Sequence, residues 1–290
     1  MPSNSPTNSP GTLYVVATPI GHHDDITIRA LKVLGEVDLV AAEDTRKTRR
    51  FLARHGISNR LVSYHEHNEA ERTPQLIARL KSGAAVALVS NAGTPTISDP
   101  GYRLVEAASD NNLNIVPVPG ACAATAVLSV AGMPTDAFIF IGFLTKKKVK
   151  RLRQLNELAS QPRTLIFYES PKRVLSLLNE VIDVMGDRRS VLAREITKLH
   201  EEIIRGRLSE IVEQLKVRSD IKGECTLLVA GSGGEKHPSW QSVRQQIRDR
   251  IEEKHLSLSA IAREMAAASG IAKNQIYAEV LKISKELESG

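Results

Sequence analysis

Short apolar, β-branched runs recur through the first part of the chain, at residues 13–18, 39–42, 61–64, 85–89 and 115–118. Each has the length of a strand buried on both faces. Between them, apolar positions repeat at helical spacing. The first helix is expected over 26–34, with Asp25 as N-cap and Gly35 just past its end; the second follows Thr45 and stops at Gly56. Strands that alternate with single helices imply right-handed crossovers, and therefore a largely parallel sheet covered on both faces.

The alternation breaks once, after the strand pattern 138–143, where a basic segment runs from Lys146 to Arg153. Strand patterns resume at 164–168, 191–194, 201–206 and 225–230, with helices over 174–185 and 208–216. The last two strands, separated by one helix, read as neighbours, which implies a mixed sheet. Gly231-Ser232-Gly233-Gly234 reads as a flexible linker, and beyond it there is no strand signal. Three helices are expected there. Leu258, Ile261, Ala262, Met265 and Ala266 form one stripe, Gly270 permits a turn, and Ile276, Tyr277, Val280 and Leu281 line the next helix. The expected organisation is a disordered leader over 1–10, α/β lobes over 11–144 and 145–231 with their boundary near Leu144, and a linker with a helix-turn-helix-like module over 232–290.

Composition narrows the class. The chain of 290 residues is 42% hydrophobic, enough for more than one core. Its two cysteines, Cys122 and Cys225, lie apart in apolar stretches and suggest neither a disulfide framework nor a zinc site. No metal is expected. His65-Glu66-His67 lacks a third ligand at metal spacing and reads as a polar loop, substrate-facing or merely solvated. The Ser-, Asn- and Pro-rich N-terminus has no apolar core of a signal peptide, and no apolar run approaches the roughly 20 residues of a membrane span. A cytoplasmic protein with no membrane partner is the expectation. A formal charge of +6 suits a polyanionic partner and ordinary solubility alike.

Chemistry is concentrated in three loops. Ser90 to Gly101 is a run of small and turn-forming residues directly after the buried strand 85–89, where open parallel sheets bind ligands and small residues let backbone approach them. Thr18-Pro19-Ile20-Gly21 and Pro119-Gly120-Ala121-Cys122-Ala123 occupy the same place after their strands. Three such loops on one sheet edge would line one cleft. None is a dinucleotide fingerprint or a P-loop.

These loops carry a resemblance. Ala17-Thr18-Pro19-Ile20-Gly21, Ala42-Glu43-Asp44-Thr45-Arg46, Ser63-Tyr64-His65-Glu66-His67-Asn68-Glu69, Ser90 to Gly101, Pro119-Gly120-Ala121, Phe167-Tyr168-Glu169-Ser170-Pro171 and Arg194-Glu195-Ile196-Thr197-Lys198 occur in one order between Gly11 and Gly231. In these the chain resembles the tetrapyrrole (corrin/porphyrin) methylase superfamily and, within it, the ribosomal RNA small-subunit methyltransferase I group. The resemblance implies a two-lobed tetrapyrrole-methylase-like α/β fold, a small C-terminal helical module and S-adenosylmethionine held between the lobes. It also implies a homodimer acting on a cytidine ribose 2′-hydroxyl in the decoding region of small-subunit ribosomal RNA. Carried over by motif, the cofactor residues are Pro19 and Gly21; Asn91, Ala92, Gly93, Thr94 and Ile97; and Ala121, Cys122 and Ala123, with Glu169 and Cys225 bordering the adenine side. One departure stands out. Asn91 occupies a position that is usually acidic in the group, so it keeps an acceptor oxygen but loses a charge.

A ribose hydroxyl is a poor nucleophile at neutral pH, and a positioned Lys or carboxylate can take its proton. The candidates are Lys198 and Glu195 from the second lobe and Glu43, Asp44 and Arg46 from the first. The bland alternatives are a surface ion pair for Glu195 and Lys198, and a capped helix start with Thr45 as cap for the Glu43 cluster. For RNA, the candidates are Lys146, Lys147, Lys148, Lys150, Arg151 and Arg153, joined by Arg46, Lys47, Arg49 and Arg50; a solvated helix face is the alternative. A tetrapyrrole methylase and a non-catalytic RNA-binding or assembly protein stay open as rival functions.

Overall fold

A computed structural model describes residues 10–232, 240–253, 256–269 and 273–288. The leader before Pro10, the later part of the linker and Gly270 lie outside the described residues. The chain divides into two units, Met1–Ala230 and Gly231–Gly290.

The first unit contains two five-stranded sheets. Strands β1 (Thr12–Val16), β2 (Leu39–Ala42), β3 (Leu61–Ser63), β4 (Val86–Val89) and β5 (Asn114–Val118) form a parallel sheet in the order β3-β2-β4-β1-β5. Helices α1 (Ile28–Glu36), α2 (Thr45–Arg54), α3 (Glu69–Lys81) and α4 (Tyr102–Asp110) connect them. The two-residue period of a strand sends alternate side chains to opposite faces. Leu39, Ala41, Val86 and Leu88 enter one apolar cluster, while Val40, Ala42, Ala87 and Val89 enter the other. Pro117 is tolerated because β5 is an edge strand.

Helix α5 (Ala123–Val130) leads to the second sheet, made of β6 (Phe138–Phe143), β7 (Thr164–Glu169), β8 (Arg189–Arg194), β9 (Glu202–Arg207) and β10 (Cys225–Val229). Helices α6 (Lys148–Leu158), α7 (Val174–Met185) and α8 (Leu208–Lys216) complete this part. Only the β6–β7 pairing is parallel; the other pairs are antiparallel. The sheet is therefore mixed. The strand order β6-β7-β10-β8-β9 corrects one expectation: β9 and β10 are not neighbours, because β8 lies between them. The strand 138–143, although ahead of Leu144, pairs with β7 in the second sheet. Ala124, Val127 and Leu128 of α5 pack with Ile166, Val191 and Leu228 of that same sheet.

Two helix starts also differ from the sequence reading. Thr27, not Asp25, caps α1 by accepting from the Ala30 amide at 3.0 Å, since Asp25 is already in a 3₁₀ turn over His23–Asp25. Gly35 lies inside α1 rather than beyond it. Asp44, not Thr45, caps α2 and accepts from the Arg46 and Lys47 amides at 2.9 and 3.2 Å.

The second unit contains α9 (Trp240–Glu252), α10 (Leu258–Ser269) and α11 (Lys273–Glu288) around a core that includes Val243, Ile247, Ile261, Ala262, Met265, Ile276, Val280 and Ile283. Tyr277 and Leu281, expected to line α11, are 39% and 38% exposed; Ile283 takes the inner position.

Candidate functional site

The strand order explains the site. β4, β1 and β5 are adjacent and parallel, so their carboxyl ends release three loops side by side. Backbone bonds stitch the first two together, with Thr18 N donating to Gly93 O at 2.8 Å and Gly93 N to Thr18 O at 3.0 Å. Thr94 Oγ1 then donates to Ala121 O at 3.3 Å, tying in the third. Gly93 has a φ of +77°, a left-handed conformation that glycine adopts without strain.

Against this edge lies a loop of the second sheet, residues 195–198. Glu195 and Thr197 adopt φ values of +49° and +63°, an uncommon conformation for residues with a Cβ. The His22 amide donates to Thr197 Oγ1 at 2.9 Å. A Cβ on Gly21 would fall within 2.8 Å of Lys198 Cγ, Thr197 Oγ1 and Ile196 O, so only glycine permits this approach.

Two adjoining chambers result. The larger, about 470 Å³, is lined by Pro19, Gly21, His23, Lys47, Arg50, Phe51, Arg54 and Lys198 among others. The smaller, about 380 Å³, is lined by Gly93, Thr94, Ile97, Asp99, Cys122, Ala123, Tyr168, Glu169, Cys225 and Thr226. Ile20, Lys47, Asn91, Ala92 and Glu224 border both. The two differ in charge. Glu43, Asp99, Glu169 and Glu224 border the smaller chamber against the single cation Lys47, whereas Lys47, Arg50, Arg54 and Lys198 border the larger against Glu224 alone.

Of the twelve residues expected to hold a cofactor, nine line the smaller chamber, Pro19 and Gly21 line only the larger, and Ala121 lines neither but contributes the carbonyl that receives Thr94. The Asn91 amide donates to Glu43 Oε2 at 2.9 Å, so a carboxylate stands beside the position where charge is missing. Glu169 is 2% exposed and bound by Arg173 and by the Ser170 amide. Burial pushes the Cys225 thiol up to about 11.

The five candidates for chemistry separate. Glu43 and Lys198 line chambers. Glu195 lines neither; it pairs with Lys198 Nζ at 2.8 Å, and that hydrogen bond holds its carboxyl low. Burial works against the Lys198 ammonium, but hydrogen bonds to Glu195 and Glu224 outweigh it and raise its pKa. These two bonds favour the charged form of Lys198. Asp44 is committed to the α2 cap, with its carboxyl held low by the Lys47 and Arg46 amides, and Arg46 is exposed outside both chambers.

Among the RNA candidates, Lys146, Lys147, Lys148 and Lys150 are exposed. Arg151 is a correction. Its side chain is buried, its Nε and Nη2 donate to Glu180 at 2.6 and 2.7 Å, and Nη1 donates to the Thr145 and Lys146 carbonyls. All three guanidinium nitrogens are committed inside the fold.

Sequence reasoning missed Asp99, Tyr168 and Glu224. Burial raises the Asp99 carboxyl to about 6, against a hydrogen bond with Ser90 and with Glu43 adding to the rise. Burial, with Cys122 nearby, likewise raises the Tyr168 phenol, whose oxygen accepts from the Ala124 amide at 3.0 Å. Asp99 and Tyr168 stood within recognised motifs, but nothing local distinguishes the member that tertiary packing partly buries against the chamber wall. His65 and His67 line neither chamber, and among the described residues no cluster of His, Cys, Asp or Glu is arranged to hold a metal ion.

Comparison with known proteins agrees with this architecture. Residues 12–212 match the family described as Tetrapyrrole (Corrin/Porphyrin) Methylases. The chain is 47% identical over 279 residues to the ribosomal RNA small subunit methyltransferase I of Pseudomonas aeruginosa, covering 94% of this chain and 98% of that one. The protein of the same name from Thermotoga maritima is 45% identical over 221 residues, 76% of this chain and 99% of its own length. Among solved structures, uroporphyrin-III C-methyltransferase from Thermus thermophilus, complexed with S-adenyl homocysteine, shares the fold with a TM-score of 0.54 at 17% identity, covering 77% of this chain and 98% of that one. By its paired sheets, its loop-built chambers and these likenesses, the chain belongs to the tetrapyrrole (corrin/porphyrin) methylase family and, within it, to the ribosomal RNA small subunit methyltransferase I group.

Proposed function

We propose that this chain is an S-adenosylmethionine-dependent methyltransferase whose acceptor is the 2′-hydroxyl of a cytidine ribose in the decoding region of small-subunit ribosomal RNA. The single observation that carries the reading is the smaller chamber, edged by three small-residue loops and bordered by four carboxylates. The residues fit such a donor. The backbone of Ala92, Gly93 and Thr94 is open to close approach, and Glu43 and Asp99 are acids suited to a ligand bearing ammonium and sulfonium charges. Glu169, Cys225 and Thr226 form the wall contributed by the second sheet, and this reading sets the donor's adenine against it.

The donor supplies an electrophilic methyl group. The acceptor oxygen forms the new bond to the methyl carbon, the carbon–sulfur electron pair departs to sulfur, and the hydroxyl proton leaves to a carboxylate or to solvent. In-line displacement of this kind depends on alignment and exclusion of water more than on a strong base. The chain's own residues provide the alignment: the clasp of Gly21 and His22 against Thr197 and Lys198 holds the loops of the two sheets together. The Lys198 cation, fixed by Glu195 and Glu224, stabilises negative charge developing on the acceptor. The same reading takes the enzyme as a cytoplasmic homodimer, with Lys146, Lys147, Lys148 and Lys150 meeting RNA phosphates.

Transfer of tritium from labelled S-adenosylmethionine to small ribosomal subunits, naked RNA and tetrapyrrole precursors tests it. Label recovered in an alkali-resistant dinucleotide is the expected result. Label on a base, or only on a tetrapyrrole, contradicts it.

A further inference from the structure

The larger chamber has a composition that donor binding does not require. Lys47, Arg50, Phe51 and Arg54 stand at positions i, i+3, i+4 and i+7 of α2, so they share one helix face, and all four line this chamber. Among the described residues none of the three cations takes part in an ion pair, in contrast to Arg151, Arg173, Arg194 and Arg218 around the second sheet. The only carboxylate on the chamber wall, Glu224, is held by Lys198 at 3.0 Å. Phe51 supplies a ring in the midst of this charge. It packs edge-on to His55 at 4.9 Å, with His23 tilted at 6.2 Å. Unpaired cations interleaved with an aromatic ring are the combination that holds single-stranded nucleic acid, phosphates on the charges and a base on the ring.

We propose that the larger chamber is the acceptor subsite, receiving one nucleotide withdrawn from the RNA stack, with its base against Phe51 and its phosphates on Arg50, Arg54 and Lys47. At about 470 Å³ the chamber is the size of a small-ligand pocket and cannot admit a helix, so the target leaves its stack to enter. The wall shared with the smaller chamber, formed by Ile20, Lys47, Asn91, Ala92 and Glu224, brings the ribose to the donor's side. Opposite charge in the two chambers also sorts the reactants: the cationic donor is disfavoured by the basic chamber, and the phosphates by the acidic one. The assignment extends from α2 to Arg54 and Phe51, whereas Arg46 and Arg49 fall outside the chamber. It rests on the reading of the chain as an RNA methyltransferase.

The test uses full-length protein, small ribosomal subunits from a strain lacking this methylation, and S-adenosylhomocysteine as a separate calorimetric probe. Phe51→Leu keeps the apolar packing of the ring's buried edge and removes the stacking surface. It should lower kcat/KM for subunits by about 5- to 150-fold, the range expected when a base–aromatic stack is removed. The double variant Arg50→Gln/Arg54→Gln should weaken subunit binding and reduce the slope of log K against log salt by about 0.7 for each phosphate that is no longer neutralised. Removing equal charge elsewhere, with Arg79→Gln/Lys81→Gln on α3, should leave the kinetics as in wild type. All variants should bind S-adenosylhomocysteine like wild type, which also reports on folding. Variants that bind this probe normally and retain wild-type kcat/KM and salt slope overturn the nucleotide subsite alone. Wild-type protein that binds the probe but labels only tetrapyrroles overturns the functional reading and the subsite with it.

Discussion

Gly21→Ala puts the clasp between the two sheets to a direct test. The added Cβ would lie 2.6 Å from Lys198 Cγ and Thr197 Oγ1, and 2.8 Å from Ile196 O. Ordinary contact begins near 3.4 Å, so the two loops must separate by about 0.6–0.8 Å. The Lys198 side chain can move, but the Ile196 carbonyl is backbone and carries the strained loop with it. Overpacking of this kind costs about 1–3 kcal/mol. Loss of the adjacent His22–Thr197 hydrogen bond adds about 1 kcal/mol. Together, at about 2–4 kcal/mol, these should lower the melting temperature by about 4–16 °C in a unit of this size. Because misalignment approaching 1 Å costs up to about 100-fold in rate, methyl transfer should fall by about 10- to 100-fold. Gly21 is not among the glycines with positive φ, so backbone strain is not a competing explanation. Gly35→Ala serves as the internal contrast. It adds a methyl with nothing within 4 Å, inside a helix, and should stabilise by about 0.5–1 kcal/mol. Thermal melts and single-turnover transfer measure both. Gly21→Ala with wild-type melting and transfer would refute the clasp.

Arg151→Ala should cost about 3 kcal/mol, since it strands Glu180 in a buried site, while the salt slope of RNA binding stays as in wild type; a reduced slope in folded protein would restore Arg151 as a phosphate-binding residue. Replacing Lys146, Lys147 and Lys148 with Ala should lower that slope and leave donor binding intact, as measured by RNA titration at several salt concentrations. Asp99 has a folded value near 6, above its ordinary 3.8, so the folded protein holds this proton more tightly. The group therefore costs no stability below pH 3.8 and its full amount above pH 6. Asp99→Asn should raise the melting temperature at about pH 7.5 but not at about pH 3.5, and should weaken donor binding; equal melting changes at both pH values would contradict this.

How much of this was legible depends on how local each signal is. Helices α7 and α8 and strand β2 follow from apolar periodicity alone, and their bounds coincide with the sequence reading. The start of α1 did not, because Asp25 and Thr27 are both good caps and a short 3₁₀ turn uses the first. That β8 separates β9 from β10 is a matter of strand order, which no pairwise pattern encodes. The three loops were recognisable from small residues after buried strands, yet their meeting depends on β4, β1 and β5 being adjacent. Arg151 looks like its basic neighbours until Glu180, 29 positions away, takes its guanidinium. Asp99 looks like a turn residue until burial shifts its titration.

The most direct measurement of the central claim is a crystal structure of the full chain grown with S-adenosylhomocysteine. Density is expected in the smaller chamber, between the Ala92-Gly93-Thr94 backbone and the Glu169, Cys225 and Thr226 wall. Density in the basic chamber along α2 instead, or none in crystals of protein that binds the compound in solution, would contradict the account.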